Sequence, residues 1–284
     1  MFAAILSSLT GAAGVVLDKL LLSKRRMPLG MFLSTGFLGV FVLTAILLPT
    51  LGHVNWQVAG LSSELFLFFL MIIIAVAWNV LYAQAIQHEK VHHTELIMMF
   101  VPLVTIILAA IFPLRFAEPF DRRVFVLALI AAVALIFSKS TKEHFFTGKT
   151  SYNTFLAVIL MATETIIIRE LLVSYTPVAL YAVRTLAITI FFFLYYRPKA
   201  GQLRQQPWWI IIGGSVLAVV SMVAKYYAFA QVGIIYTTLI TILGPVIVFL
   251  ASWEILHERL RPRMIIASVV VLVCVVLATV LSFQ

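Results

Sequence analysis

The sequence predicts an all-α integral membrane protein with ten transmembrane helices in two inverted five-helix repeats. Its 284 residues are 63% hydrophobic and only 11% charged, whereas soluble domains carry about 25% charged residues. Apolar runs of about 20 residues, the length that crosses a bilayer, follow one another along the whole chain. Because helices satisfy their own backbone hydrogen bonds in lipid, an α-helical bundle follows.

The apolar runs and their interruptions set the positions of the spans. The predicted spans are 2–22, 30–51, 64–87, 93–114, 120–138, 152–173, 178–196, 208–230, 235–256 and 264–283. The connections are short, and several contain helix-breaking residues such as Pro28, Pro119 and Pro177. No basic residue precedes the first span, so it is predicted to be a retained helix rather than a signal peptide.

The basic residues are distributed unevenly between the loops. Loops after the odd-numbered spans hold thirteen Lys and Arg residues, and the opposite loops hold three, Arg115, Arg122 and Arg123. Since cytoplasmic loops are enriched in Lys and Arg, both termini are predicted to be non-cytoplasmic. This distribution explains the net charge of +9 as topogenic, so no nucleic-acid partner is expected. We expect the chain in the plasma (inner) membrane of a prokaryote.

A faint internal repeat divides the chain at residues 1–146 and 147–284. A shift of 143 residues places Pro102 on Pro245 and Thr94 on Thr237. Each half has an odd number of spans, so the second half is predicted to lie upside down relative to the first. Inverted repeats are typical of secondary transporters, whose substrates bind near the midplane where the halves meet.

The segment ILGPVIVFLASWEILHERL, residues 242–260, carries a family resemblance. Its proline, Pro245, and its Leu256, Glu258, Arg259 and Leu260 group resemble the EamA-type branch of the drug/metabolite transporter superfamily. The resemblance implies alternating access around a cavity lined by spans one, three, four, six, eight and nine. It also implies a small organic substrate, such as an amino acid, a nucleobase, a sugar, an amine or a drug. The sequence departs from the family in having Arg115 where a Glu is expected, and in its predicted orientation, since members usually keep both termini in the cytoplasm.

Ionisable residues inside the spans are costly and are therefore candidates for function. Glu164, near the middle of span six, is the leading candidate for proton coupling, because burial without a cation favours the neutral carboxyl. The alternative is a structural ion pair with Lys225 or Arg184. Lys225 would hold a substrate carboxylate, or would extend to the lipid interface. Asp18 and Glu95 complete the predicted coupling or gating set with Glu164 and Arg184.

Aromatic and amide side chains predict the walls of the cavity. Trp78 and Tyr82 lie four residues apart on span three, with Asn79 beside them, and span eight supplies Tyr226. Aromatic walls with few polar groups suit small organic ligands, including cations, although plain packing is the alternative. The full predicted substrate-binding set is Trp78, Asn79, Tyr82, Glu164, Lys225, Tyr226 and Thr238.

The sequence contains none of the nucleotide-binding or hydrolase motifs, which excludes transport driven by ATP hydrolysis within this chain. No cofactor is predicted, and no metal, because the cluster His88 to Glu95 lacks a zinc-binding spacing. A secondary or facilitative transporter of a small metabolite is the favoured function, and an enzyme is not expected. A lipid flippase is the alternative, and a membrane-embedded enzyme is the least favoured one. The substrate, the direction of transport, the coupling ion and the oligomeric state stay open.

Overall fold

A computed structural model describes residues 1–24, 27–88, 94, 97–98, 100–112, 122–139, 149–199, 207–254 and 262–281. The helices in these ranges are α1 (Phe2–Lys19), α2 (Leu29–Leu51), α3 (Trp56–Ala59), α4 (Ser62–His88), α5 (Val101–Ile111), α6 (Arg122–Lys139), α7 (Lys149–Leu171), α8 (Pro177–Tyr196), α9 (Trp208–Val232), α10 (Ile234–Thr241), α11 (Leu243–Glu254) and α12 (Pro262–Leu281). A π-helical turn, Leu20–Lys24, continues α1. Across these ranges the β-type pairing is a single bridge between Val54 and Tyr175.

Within the described ranges, five helical segments are long and apolar enough to cross a membrane. They are Phe2–Leu22, Leu29–Leu51, Ser62–His88, Pro177–Tyr196 and Trp208–Val232. The prediction of an all-α integral membrane protein is therefore confirmed. The count of ten membrane spans, the division at residue 146 and the inversion of the second half stay predictions.

The main helix pairs join the first half of the chain to the second. Helix α1 packs on α9, α2 on α8, α4 on α7, and α6 on α12. Helices α1 and α11 are also in contact, as are α5 and α7. Lipid tails are as apolar as the helix surfaces, so the hydrophobic effect does not drive helices together inside a membrane. Close packing of this kind holds the bundle together instead.

Small residues bring α1 and α9 together. A Cβ added at Gly11 would lie 2.9 Å from the Ser221 hydroxyl, and one at Gly14 would lie 4.0 Å from Leu217. The Ser221 hydroxyl donates a hydrogen bond of 2.8 Å to the Ser7 carbonyl. Residue numbers rise along α1 as they fall along α9, so the two helices are antiparallel. We call this contact the α1–α9 seam.

The segment after α9 contains two breaks. Gly233 separates α9 from α10 with a φ of 91°, a backbone conformation that glycine adopts without steric cost. Ile242 separates α10 from α11, and its N–H donates to the Leu239 carbonyl at 3.2 Å. The Ser8 hydroxyl of α1 donates to the nearby Ile240 carbonyl at 3.3 Å. Irregular backbone inside a membrane bundle is tolerated where protein groups or a cavity satisfy it, as Ser8 does at this break.

A similar turn precedes α5. The Phe100 N–H donates to the Ile97 carbonyl at 3.1 Å, and α5 carries Pro102 in its first turn. The two turns thus precede Pro102 and Pro245, the prolines that the repeat aligns.

Two loops meet at one end of the bundle. The Asn55 N–H donates to the Ser174 carbonyl at 2.8 Å, and the Thr176 N–H donates to the His53 carbonyl at 3.0 Å. In return, the His53 N–H donates to the Thr176 hydroxyl at 2.9 Å. These bonds tie the loop before α4 to the loop before α8 and so join the two halves at this end, which we call the tied end.

Candidate functional site

A cavity of about 350 Å³ lies between the two halves of the chain. Helices α1, α2, α4 and α5 line it from the first half, and α7 to α11 line it from the second. Most of the lining is Gly, Ala or larger aliphatic and aromatic residues, with polar side chains placed among them. A concave apolar space with a few polar groups is the usual form of a small-molecule site.

The cavity extends toward the end of the bundle opposite the tied end. Its lining includes Leu22 in the π-helical turn after α1, Phe32 near the start of α2, Ile86 near the end of α4, and Ile211 near the start of α9. We call this end the mouth. On α1 the lining runs from Ser7 to Leu22, a distance of about 22 Å at 1.5 Å per residue. The mouth is on the side whose basic loops predict the cytoplasm.

Most of the predicted site residues are brought together here. The predicted residues that line the cavity are Asp18, Trp78, Asn79, Tyr82, Arg184, Lys225 and Thr238. Glu164 and Tyr226 are buried but do not line it, with 2% and 0% of their surfaces exposed. Glu95 lies outside the described residues.

Glu164 lies directly behind the cavity wall. Its Oε1 atom accepts a hydrogen bond of 2.6 Å from Arg184 Nε, and its Oε2 atom accepts one from Trp78 Nε1. Both donors line the cavity. The Glu164 carboxylate of α7 thus joins Trp78 of α4 to Arg184 of α8. We call these three residues the charged wall. The ion pair with Arg184, one of the two roles predicted for Glu164, is present, and proton coupling stays a prediction.

Among the described residues of the lining, Arg184 and Lys225 are the two buried cations. Arg184 is 2% exposed, and its Nη2 atom has no hydrogen-bond partner among the described residues. Lys225 is 8% exposed. Its Nζ atom lies 5.5 Å from the centre of the Phe229 ring and makes no hydrogen bond within the described part of the chain. Both side chains therefore keep donors that the described residues do not use.

Aromatic rings form part of the wall and a layer behind it. Trp78 and Tyr82 contact each other edge to face, with ring centres 6.3 Å apart. Tyr226 packs edge to face on Tyr181 at 5.7 Å and stacks on Phe229 at 6.3 Å. Tyr181 lines the cavity and Tyr226 does not, so packing is the contact that the structure shows for Tyr226.

The mouth carries charged residues of α1. Asp18 lines the cavity there. Its neighbour Lys19 donates from Nζ to the Ile86 carbonyl at 2.8 Å, which joins the end of α1 to the end of α4.

Small hydroxyl residues of the lining were missed by the sequence predictions. They include Ser7, Ser8, Thr10, Thr35, Ser215 and Ser221. A signal for part of this set exists in span one, because Ser7, Gly11 and Gly14 recur every three or four residues and so share a helix face. Small residues at that spacing mark a close helix contact in a membrane.

The chain is similar to known proteins in fold and in part of its sequence. A solved structure described as "Crystal structure of protein" aligns with 98% of this chain and 99% of its own, with a TM-score of 0.71 at 13% identity. At that identity the likeness shows the fold alone. No curated protein matches the sequence significantly. Residues 150–280 match the EamA-like transporter family, and this match confirms the predicted resemblance for that part of the chain.

Proposed function

We propose that this chain is a secondary active or facilitative transporter of a small organic metabolite, such as an amino acid or an amine. The family match indicates a membrane transporter of small molecules. The observation that carries the finer proposal is the cavity of about 350 Å³, which both halves line and which contains two buried cations. Solute would bind there near the midplane and would reach either side by alternating access.

The helix pairs support a twofold arrangement of the halves. Exchange of the halves converts the α4–α7 pair into α9–α1, and the α1–α11 pair into α7–α5. The α2–α8 and α6–α12 pairs map onto themselves. We therefore propose that residues 1–146 and 147–284 are the two repeats. An odd number of spans in each half would give them opposite orientations.

The two ends of the cavity support alternating access. At the tied end, the loops around His53 and Thr176 are hydrogen-bonded to each other. At the mouth, the cavity lining reaches the ends of four helices. This is the arrangement of a carrier in a state that faces the mouth. In the opposite state the tied end would separate, and the ends of α1 and α4 would close over the mouth.

The predicted site residues have distinct roles in this proposal. Trp78, Asn79, Tyr82, Lys225 and Thr238 would contact the substrate, since all of them line the cavity. Glu164, with Tyr226 behind the wall, would position that surface. For proton coupling, Glu164 would exchange its Arg184 partner for a proton during the cycle, and Asp18 would gate the mouth.

Uptake into proteoliposomes tests the proposal. We expect saturable uptake of at least one solute from a panel of amino acids, monocarboxylates, nucleobases and quaternary amines. We expect Lys225→Ala to alter its rate, while Lys199→Ala, at an exposed position outside the cavity, should not. If the wild-type protein takes up none of the solutes in the panel, the proposal is contradicted. Scrambling of a fluorescent lipid by the same vesicles would favour the flippase.

The orientation is tested separately. We propose that both termini are non-cytoplasmic in a prokaryotic inner membrane. A reporter that is active only in the cytoplasm should be silent when fused after Gln284, and activity there would reverse the orientation.

A further inference from the structure

We infer that the solute carries an anionic group of the carboxylate class, which binds between Arg184 and Lys225 at the inner end of the cavity. The inference rests on the proposed transport function, because it names the substrate class of the same site. It narrows that proposal from amino acids and amines to organic anions with an apolar body.

The charge balance of the inner end is positive. Two cations, Arg184 and Lys225, line the cavity, and Glu164 is the carboxylate that contacts the wall from behind. Both oxygens of Glu164 are occupied, one by Arg184 and the other by the Trp78 indole. One positive charge therefore remains uncompensated by these contacts, and an unpaired charge inside a membrane protein is costly.

Asp18, the acidic side chain that the described residues contribute to the lining, lies too far away to supply the compensation. Because the Ser221 hydroxyl bonds to the Ser7 carbonyl, these two residues lie at the same depth in the bundle. Lys225 is one helical turn further from the mouth than Ser221. Asp18 is eleven residues from Ser7 along α1, or about 16 Å at 1.5 Å per residue. The cavity therefore has a positive inner end, with its acidic residue at the mouth.

Arg184 and Lys225 line the same cavity, and each has a donor that the described residues do not use. Arg184 Nη2 is buried without a partner in the described structure, while its Nε is held by Glu164. Lys225 Nζ has a ring face beside it and, among the described residues, no oxygen acceptor. A carboxylate can accept from a guanidinium and an ammonium together, in charge-assisted bonds stronger than neutral ones. Glu164, which is itself held by Trp78, orients Arg184 before the solute binds. Little side-chain entropy is therefore lost on binding.

An amine is the poorer fit. Its ammonium would enter beside two cations, and the nearest carboxylate already has both oxygens engaged. The rest of the lining is mostly aliphatic and aromatic, which suits an apolar body rather than a second charged group. A monocarboxylate with such a body would neutralise the site and fill the cavity.

Three compounds with one carbon skeleton test this inference on the purified full-length protein. They are 3-phenylpropionate, 3-phenylpropanol and 3-phenylpropylamine, whose affinities are measured by isothermal titration calorimetry. We expect the carboxylate to bind at least about tenfold more tightly than the alcohol and the amine, as charge-assisted hydrogen bonds predict. Equal affinities, a preference for the amine, or no binding by any of the three would overturn the inference.

Variants assign the effect to the two cations. Lys225→Gln should weaken carboxylate binding about tenfold and leave alcohol binding nearly unchanged, and Lys225→Arg should retain most of the affinity. Lys199→Gln makes the same substitution on the exposed surface and should change neither. Arg184→Lys keeps a cation opposite Glu164 but lacks the Nη2 donor, so it too should weaken carboxylate binding. If Lys225→Gln binds the carboxylate as the wild type does, the site is not the one inferred.

Uptake separates this inference from the transport proposal. If vesicles take up amines or neutral solutes with no preference for carboxylates, transport stands and the anionic class is wrong. If the carboxylate binds and loses affinity in Lys225→Gln, but no vesicle takes it up, the anion site stands and transport is wrong.

Discussion

Two sides of the cavity use different chemistry. The α1–α9 seam is built from Gly11, Ser7 and Ser221, and it brings the two backbones close together. The charged wall is built from the large side chains Trp78 and Arg184 around the buried carboxylate of Glu164. Gly11, Ser7 and Ser221 carry no formal charge and hold α1 close to α9, whereas the wall contains the ion pair of Glu164 with Arg184. Close packing and charge are therefore supplied by different side chains in this bundle.

The largest effect is expected from breaking the charged wall on one side. Glu164→Ala leaves Arg184 buried without a carboxylate, and the loss of one partner of a buried pair costs about 3–5 kcal/mol. Thermal unfolding in detergent should therefore show a large drop in midpoint. The double variant Glu164→Leu with Arg184→Met removes both charges and should be more stable than Glu164→Ala. A single variant as stable as the wild type would show that the pair does not stabilise the wall.

The seam should respond to volume rather than to charge. Gly11→Ala places a methyl group 2.9 Å from the Ser221 hydroxyl, so α1 and α9 must separate or Ser221 must turn away. Overpacking of this kind costs about 1–3 kcal/mol, measured as the shift in unfolding midpoint. Gly36→Ala is the matched control, because nothing lies within 4 Å of a Cβ at that position. Equal effects of the two substitutions would mean that the seam is not tightly packed.

The seam and the wall also differ in how far the sequence predicted them. Hydropathy placed the helices, and a charge inside span six identified Glu164 with Arg184 as one of its two potential partners. The Trp78 contact was not predicted, because a span that is apolar on all sides does not reveal which face turns inward. Lys225 and Tyr226 are adjacent and so point about 100° apart on a helix. Lys225 lines the cavity while Tyr226 packs behind it. Composition alone does not predict which of the two faces the cavity.

The hydroxyl residues of the seam escaped prediction for a different physical reason. A Ser or Thr inside a membrane helix can satisfy itself on the carbonyl four residues earlier, as Thr163 does on Ile159 at 2.9 Å. Its presence therefore does not signal a contact with another helix. The Ser8 hydroxyl donates both to the Ala4 carbonyl of its own helix and to the Ile240 carbonyl of α10. Only the three-dimensional structure reveals the bond to Ile240.

A smaller effect is expected when the wall loses a neutral donor. Trp78→Phe removes the indole N–H from Glu164 and leaves the Arg184 pair in place. The loss should be about 1–3 kcal/mol, since one buried acceptor loses its partner, and it should be smaller than that of Glu164→Ala. The ranking of the two unfolding midpoints checks this order. A reversed order would show that the indole, rather than the guanidinium, is the main partner of the carboxylate.

The smallest effect is expected at the helix break beside the seam. Ser8→Ala removes the hydroxyl that reaches the Ile240 carbonyl at 3.3 Å, and hydrogen bonds between membrane helices are worth about 0.6 kcal/mol on average. Stability should therefore fall only slightly, while uptake in proteoliposomes should change if the break between α10 and α11 moves during transport. Thr163→Ala is the matched control, since its hydroxyl bonds within α7 and should affect neither quantity. Uptake unchanged in Ser8→Ala would show that transport does not depend on the bond between α1 and the break.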